Sequence, residues 1–87
     1  MKKWQERQGV WVESDQGVGI RTTEKIDIGG NEVAVGYVDI VSGTGETIAA
    51  RVPEASLTNV RIARRASIPP DRIAHLSADQ LARMGYV

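Results

Sequence analysis

Few residues of this chain have side chains suited to chemistry: one histidine, scattered carboxylates, a run of arginines and two tryptophans. His75 is the sole imidazole, so a metal site built on it lacks the further nitrogen or sulfur ligands that zinc takes. As a general base it needs an oriented partner within hydrogen-bond reach. Asp71 and Asp79 lie four residues to either side, but Pro69-Pro70 breaks one helical register and Ser77 the other. The expectation for His75 is a surface or helix-cap role. Asp39 stands in the apolar run Val35 to Val41. An inward carboxylate there needs donors to offset desolvation. The strand is therefore expected to leave the core at Asp39, with the carboxylate pairing to Arg51 or to turn amides. No second carboxylate stands at a spacing that makes an acid–base pair.

Gly17-x-Gly19 and Gly43-x-Gly45 are not followed by Gly-Lys-Ser/Thr or by the start of a helix, so they read as turns and not as phosphate loops. The absence of cysteine excludes disulfides, thiol catalysis and cysteine-ligated zinc, and fits a reducing, cytoplasmic setting. With no nucleophile–base pair, metal set or cofactor motif in view, the chain reads as a non-enzyme without a cofactor.

Arg61, Arg64, Arg65 and Arg72 form the basic cluster. Residues 1–60 hold 6 basic and 9 acidic side chains, residues 61–87 hold 5 and 2, and the net charge is zero. Four guanidinium groups suit weak, salt-sensitive phosphate contacts. Nucleic-acid modules are usually clearly basic and interleave aromatics for base stacking, whereas this chain is neutral overall and no aromatics interleave with the cluster. A solvated segment, or one pairing with the acidic β region, is the leading expectation, with nucleic-acid binding as the alternative. Trp4 and Trp11 remain. Trp11 alternates with Val10 and Val12, so it faces away from them. It needs cover, either from the C-terminal helix or from a partner. Trp11, Arg21 and Tyr37 are the candidate partner-binding residues.

The elements that position these residues are mostly strands. Residues 1–8 form a polar lead-in, too polar for a signal peptide. Gly9 to Ser14 and Val18 to Thr23 read as a hairpin across a three-residue turn, Asp15-Gln16-Gly17. On that reading Val18 and Ile20 share a face with Val10 and Val12, and Gly19 and Arg21 neighbour Trp11. Ile28 to Asn31 is the next turn. Glu32 to Val41 is a long strand, covered on both faces for part of its length, with Gly36 at a bend or bulge. Glu46 to Val52 returns antiparallel and Pro53 stops it. Leu57 to Ile62 closes the set. No apolar run approaches the ~18 residues of a membrane span.

Ile68-Pro69-Pro70 breaks the chain before a short helix, Ala78 to Met84. Ser77 and Gln80 make a capping box, Leu76 and Leu81 a hydrophobic staple. Gly85 takes the left-handed position after the helix, and Tyr86 folds back on Leu81. The helix is too short to stand alone and must dock on the strands.

Val10-x-Val12, Gly17-Val18-Gly19-Ile20, Val35 to Val41 and Gly45-Glu46-Thr47 together resemble SH3-like small barrels of the KOW and Tudor kind. The tail, Ile68-Pro69-Pro70-Asp71-Arg72 with Gly85-Tyr86, is similar to short uncharacterised phage and prophage proteins. The five short strands and their Gly-rich turns read as a small, bent antiparallel barrel or sandwich, and the resemblance implies the first: a mainly-β, five-stranded antiparallel SH3-like barrel over residues 9–62, followed by an Arg/Pro segment and capped helix over 63–87. No aromatic cluster is present for a methyl-lysine cage. The functional expectation is a cytoplasmic interaction or scaffolding module that binds a protein or its own copies.

Overall fold

The computed structural model describes residues 9–87. The lead-in 1–8, with Trp4, lies outside the described residues. The chain is mainly β, with strands β1 (Val10–Ser14), β2 (Gly17–Ile28), β3 (Asn31–Val41), β4 (Thr47–Pro53) and β5 (Arg61–Ile62). Two one-turn 3₁₀ segments, Glu54–Ser56 and Arg65–Ser67, follow β4 and β5, and helices α1 (Pro70–Ile73) and α2 (Ala78–Arg83) end the chain. The strands form one antiparallel sheet in the order β4-β3-β2-β1-β5. The ladder does not close on itself, and β4 and β5 are its edges.

The first hairpin corrects the sequence reading by one residue. Ser14 pairs with Gly17, so the loop is the two residues Asp15-Gln16. The Ser14 hydroxyl fastens it, accepting from the Gln16 N–H and donating to the Gly17 carbonyl. Trp11 therefore pairs with Ile20 and Val12 with Gly19. A one-residue slip moves every side chain to the other face. Ile20 thus joins Trp11, while Arg21 lies beside Val10. Gly19 has no room for a side chain, since a Cβ there would meet the Asp39 carbonyl and Val38.

β2 is twice the length expected, because the polar run Glu24-Lys25-Ile26-Asp27 continues it. Gly29 and Gly30, both at positive φ (59° and 86°), turn it into β3. This is the mirror-image turn that matches strand twist. β3 is covered on both faces near its end: Val38 and Ile40 are buried on one, Val41 on the other. Gly36 is not the irregular point. The register of β3 against β4 shifts on either side of Ile40, and Arg51 takes a left-handed φ of 53° there. Gly36 instead lies beneath the Glu54 carboxylate, where a Cβ would collide.

Leu57 does not begin a strand. Asp15 claims that stretch: its carboxylate accepts from the Thr58 hydroxyl and, at 2.8 Å, from the Asn59 amide, and its N–H donates to the Thr58 carbonyl. Asn59 is left-handed at φ 57°, and β5 shrinks to two residues.

Two cores result, one on each face of the bent sheet. Val12, Val38, Ile40 and Leu57 make the first. Trp11, Ile20, Val41, Ala63, Ile68, Leu81 and Tyr86 make the second, and the C-terminal segment supplies four of these seven. α2 carries the full capping box, Ser77 Oγ accepting from Gln80 N–H and Gln80 Oε1 from Ser77 N–H. It ends in a two-bond cap, Tyr86 N–H to the Leu81 carbonyl and Gly85 N–H to that of Ala82, with Gly85 at φ 96°. The cap aims Tyr86 inward, where it is 2% exposed.

Candidate interaction surface

Trp11 is 6% exposed, and its cover comes from within the chain. Leu81 and Tyr86 pack in its cluster, with Leu76 and Ile73 at the margin. The Arg72 guanidinium stands over the indole at 5.4 Å from its centroid, a favourable cation–π geometry. Nη1 of Arg72 also donates to the Gly45 carbonyl at 2.7 Å. Arg72 thus fastens the β3–β4 loop to the second core.

Arg61 and Arg64 are turned to an internal task that no sequence motif announces. Glu13, 8% exposed, is the buried charged residue of β1. Its Oε1 accepts from Nε and Nη2 of Arg61 at 3.2 and 3.0 Å. Its Oε2 accepts from the Arg64 N–H at 2.8 Å and from Arg64 Nε at 3.3 Å. The Ser67 hydroxyl and the Arg64 N–H, then the two guanidinium groups, hold the Glu13 carboxyl down at about 2 against the opposing effect of burial. This cluster staples the segment after β5 onto β1. Arg65 is exposed. Arg61 and Arg64 keep exposed side chains beside the carboxylate they hold. The sequence signal was present in the acidic excess before residue 61 and the basic excess after it, but spacing does not select Glu13 as the acceptor.

The Asp39 carboxylate pairs with Arg51 as expected, Oδ1 accepting from the Arg51 N–H at 2.8 Å across the irregularity in β4, but the strand does not leave the core there, since Val38, Ile40 and Val41 around it are buried. The Arg51 side chain turns elsewhere. Its guanidinium makes a two-pronged bond to the Glu24 carboxylate and lies 4.3 Å over the Tyr37 ring. Arg21 reaches Glu54 Oε2 at 3.3 Å. Arg21 and Tyr37 thus lie on opposite faces at the base of one projecting feature. His75 is exposed. Among the described residues no three His, Cys, Asp or Glu side chains converge as a metal set.

That feature is the outer half of the β2–β3 hairpin. β1 leaves β2 at Arg21, and β4 leaves β3 at Tyr37, opposite Pro53. Beyond them β2 and β3 run on as a two-stranded arm, pairing Glu24 with Val35 through Ile28 with Asn31. The described residues measure 43 Å along their longest axis against 26 and 25 Å across. Directly paired residues share a face, so Ile26, Ile28, Val33 and Val35 line one side and Lys25, Asp27 and Glu32 the other. Ile28 is 57% and Val33 39% exposed. Beside the arm, Ala34, Gly36, Pro53, Glu54, Leu57 and Val60 line an open groove of about 570 Å³. It runs along the edge of β3 that β4 leaves unpaired.

Comparison with protein-family models, with curated proteins and with solved structures finds no match. Among the described residues no helix is long and apolar enough to cross a membrane.

Proposed function

We propose that this chain is a non-enzymatic interaction module, built as an SH3-like barrel, that receives an extended segment of a protein partner along the outer half of β3. The strand order and the 3₁₀ turn between β4 and β5 support the barrel reading, with the β4–β5 gap as its open seam. The carrying observation for function is the outer β3 edge, unpaired by any strand among the described residues, lying directly against a largely apolar groove. An unpaired edge supplies a row of backbone donors and acceptors, and an adjoining groove supplies sites for alternate side chains of an added strand. The ligand class is an extended peptide whose small or medium apolar side chains reach the groove floor at Leu57 and Val60. The phage-like tail and the lack of cysteine are in keeping with a phage-derived, cytoplasmic module.

The test uses short peptides selected against the protein from a displayed library. Titrated into isotope-labelled protein, the selected sequence should shift the amide resonances of Val33 to Tyr37 and of Ala55 to Val60. Shifts centred on Arg64 and Arg65 instead, or a selection that yields no binder, would overturn the reading. The nucleic-acid alternative has less support, because Arg61, Arg64 and Arg72 already have partners within the chain.

A further inference from the structure

We propose that two copies of this chain pair through the outer edges of their β2 strands, antiparallel and centred on Ile26. This goes beyond peptide capture at β3, because it uses the opposite edge of the arm. Three observations carry it. Among the described residues no strand pairs with β2 beyond Arg21 on the side away from β3. A two-stranded ribbon is marginal in water, and this one, with no third strand among the described residues, displays Ile28 and Val33. The charge pattern of the edge is self-complementary in one register. With Ile26 opposite its own copy, Lys25 faces Asp27 of the second molecule and Asp27 faces Lys25, so each ion pair occurs twice.

Neighbouring registers do not share this property. Centring on Lys25 or on Asp27 sets a like charge directly against itself, which destabilises a cross-strand pair. Centring between Lys25 and Ile26 sets Glu24 against Asp27. Glu24 is also held back by its two bonds to Arg51, which keeps its charge on the Tyr37 side. In the Ile26 register the two arms become one four-stranded sheet, β3-β2-β2-β3. Ile26 of each copy then meets the other between the two Val33 side chains, Ile28 of each copy lies opposite Glu24 of the other, and symmetric closure limits the assembly to two. An interface of this size falls in the weak, concentration-dependent class.

The test is the sedimentation of the full chain over a concentration series. Lys25 and Asp27 are both exposed, so their replacement leaves the cores intact. The parent should show a concentration-dependent dimer. Lys25→Asp and Asp27→Lys should each sediment as monomers with unchanged circular dichroism. A mixture of the two single variants should regain the dimer, because each then meets its complement, and so should the double variant. Ile26→Cys, in a chain without other cysteine, should oxidise to a covalent dimer. A parent that stays monomeric at every concentration would overturn the proposal. So would single variants that dimerise as well as the parent, or a mixture that stays monomeric. None of these outcomes alters the amide shifts that test the β3 groove, so the two readings fail separately.

Discussion

The phenolic oxygen of Tyr86 accepts a 2.7 Å hydrogen bond from the backbone N–H of Trp11, 75 residues earlier in the chain. The bond lies at the edge of β1 where β5 does not reach. β5 pairs with Val12 and Glu13, and Ala63 N–H still reaches the Trp11 carbonyl. At Trp11 N–H a side chain takes the place of the missing strand. Tyr86→Phe keeps the ring and removes the acceptor, leaving a buried N–H unsatisfied. That costs about 1–3 kcal/mol, and urea denaturation should show a lower midpoint with an unchanged slope.

Glu13 sets an acid limit on stability. Its carboxyl is depressed from 4.5 to about 2 in the folded chain by the Ser67 hydroxyl, the Arg64 N–H and the arginines around it. A depressed carboxylate contributes stability that is fully present above its unfolded value and is lost as pH falls through the folded one. Stability should therefore decline between about pH 4.5 and pH 2. Glu13→Gln should be less stable than the parent at neutral pH, because Arg61 and Arg64 lose their shared anion. It should also have a flatter profile across that acid window. Denaturant titrations at a series of pH values check both points, and parallel profiles for parent and variant would exclude Glu13 as the source. Asp15 is depressed too, chiefly by Thr58 and then Asn59, and contributes with the same sign, so some slope persists in the variant.

How much of this was legible depended on range along the chain. α2 was readable because its determinants lie within ten residues: Ser77, Gln80, Leu81, Gly85 and Tyr86 each act on a near neighbour. The first hairpin was readable as a hairpin but not in register. Asp-Gln-Gly suits a three-residue loop as well as a two-residue one, and the choice rests on the Ser14 hydroxyl. The length of β2 was hidden because Glu24-Lys25-Ile26-Asp27 has the composition of a loop and forms strand only by pairing with β3. The last strand was overextended because Thr58 and Asn59 serve Asp15, 43 and 44 residues away. The Glu13 cluster was missed for the same reason: each of its bonds to Arg61 and Arg64 spans about fifty residues.

The caps of α2 should matter beyond the helix itself. Ser77→Ala removes the acceptor for the Gln80 N–H, at a cost of about 0.5–2 kcal/mol. Gly85→Val should cost more than Ser77→Ala. A β-branched residue resists φ near 96°, and failure of the cap withdraws Tyr86 from the second core. Thermal melts of the two variants check the order. Equal melting for both would show that Tyr86 reaches Trp11 without the cap.

Trp11 offers an optical reading of the same junction. In a Trp4→Phe background its emission reports one site. The indole is 6% exposed, packed with Leu81 and Tyr86 and overlain by Arg72, so the emission should be blue-shifted. Because the cover belongs to the same chain, dilution should leave the maximum where it is, whatever happens at the β2 edge. Arg72→Ala should move it to the red, since the guanidinium is both a lid on the ring and the tie to the Gly45 carbonyl. Arg65→Ala, at an exposed position, should not. A maximum that shifts red on dilution would mean that a second chain, and not the C-terminal segment, covers the indole. That result would undo the account of the second core from which Tyr86, Arg72 and α2 take their places.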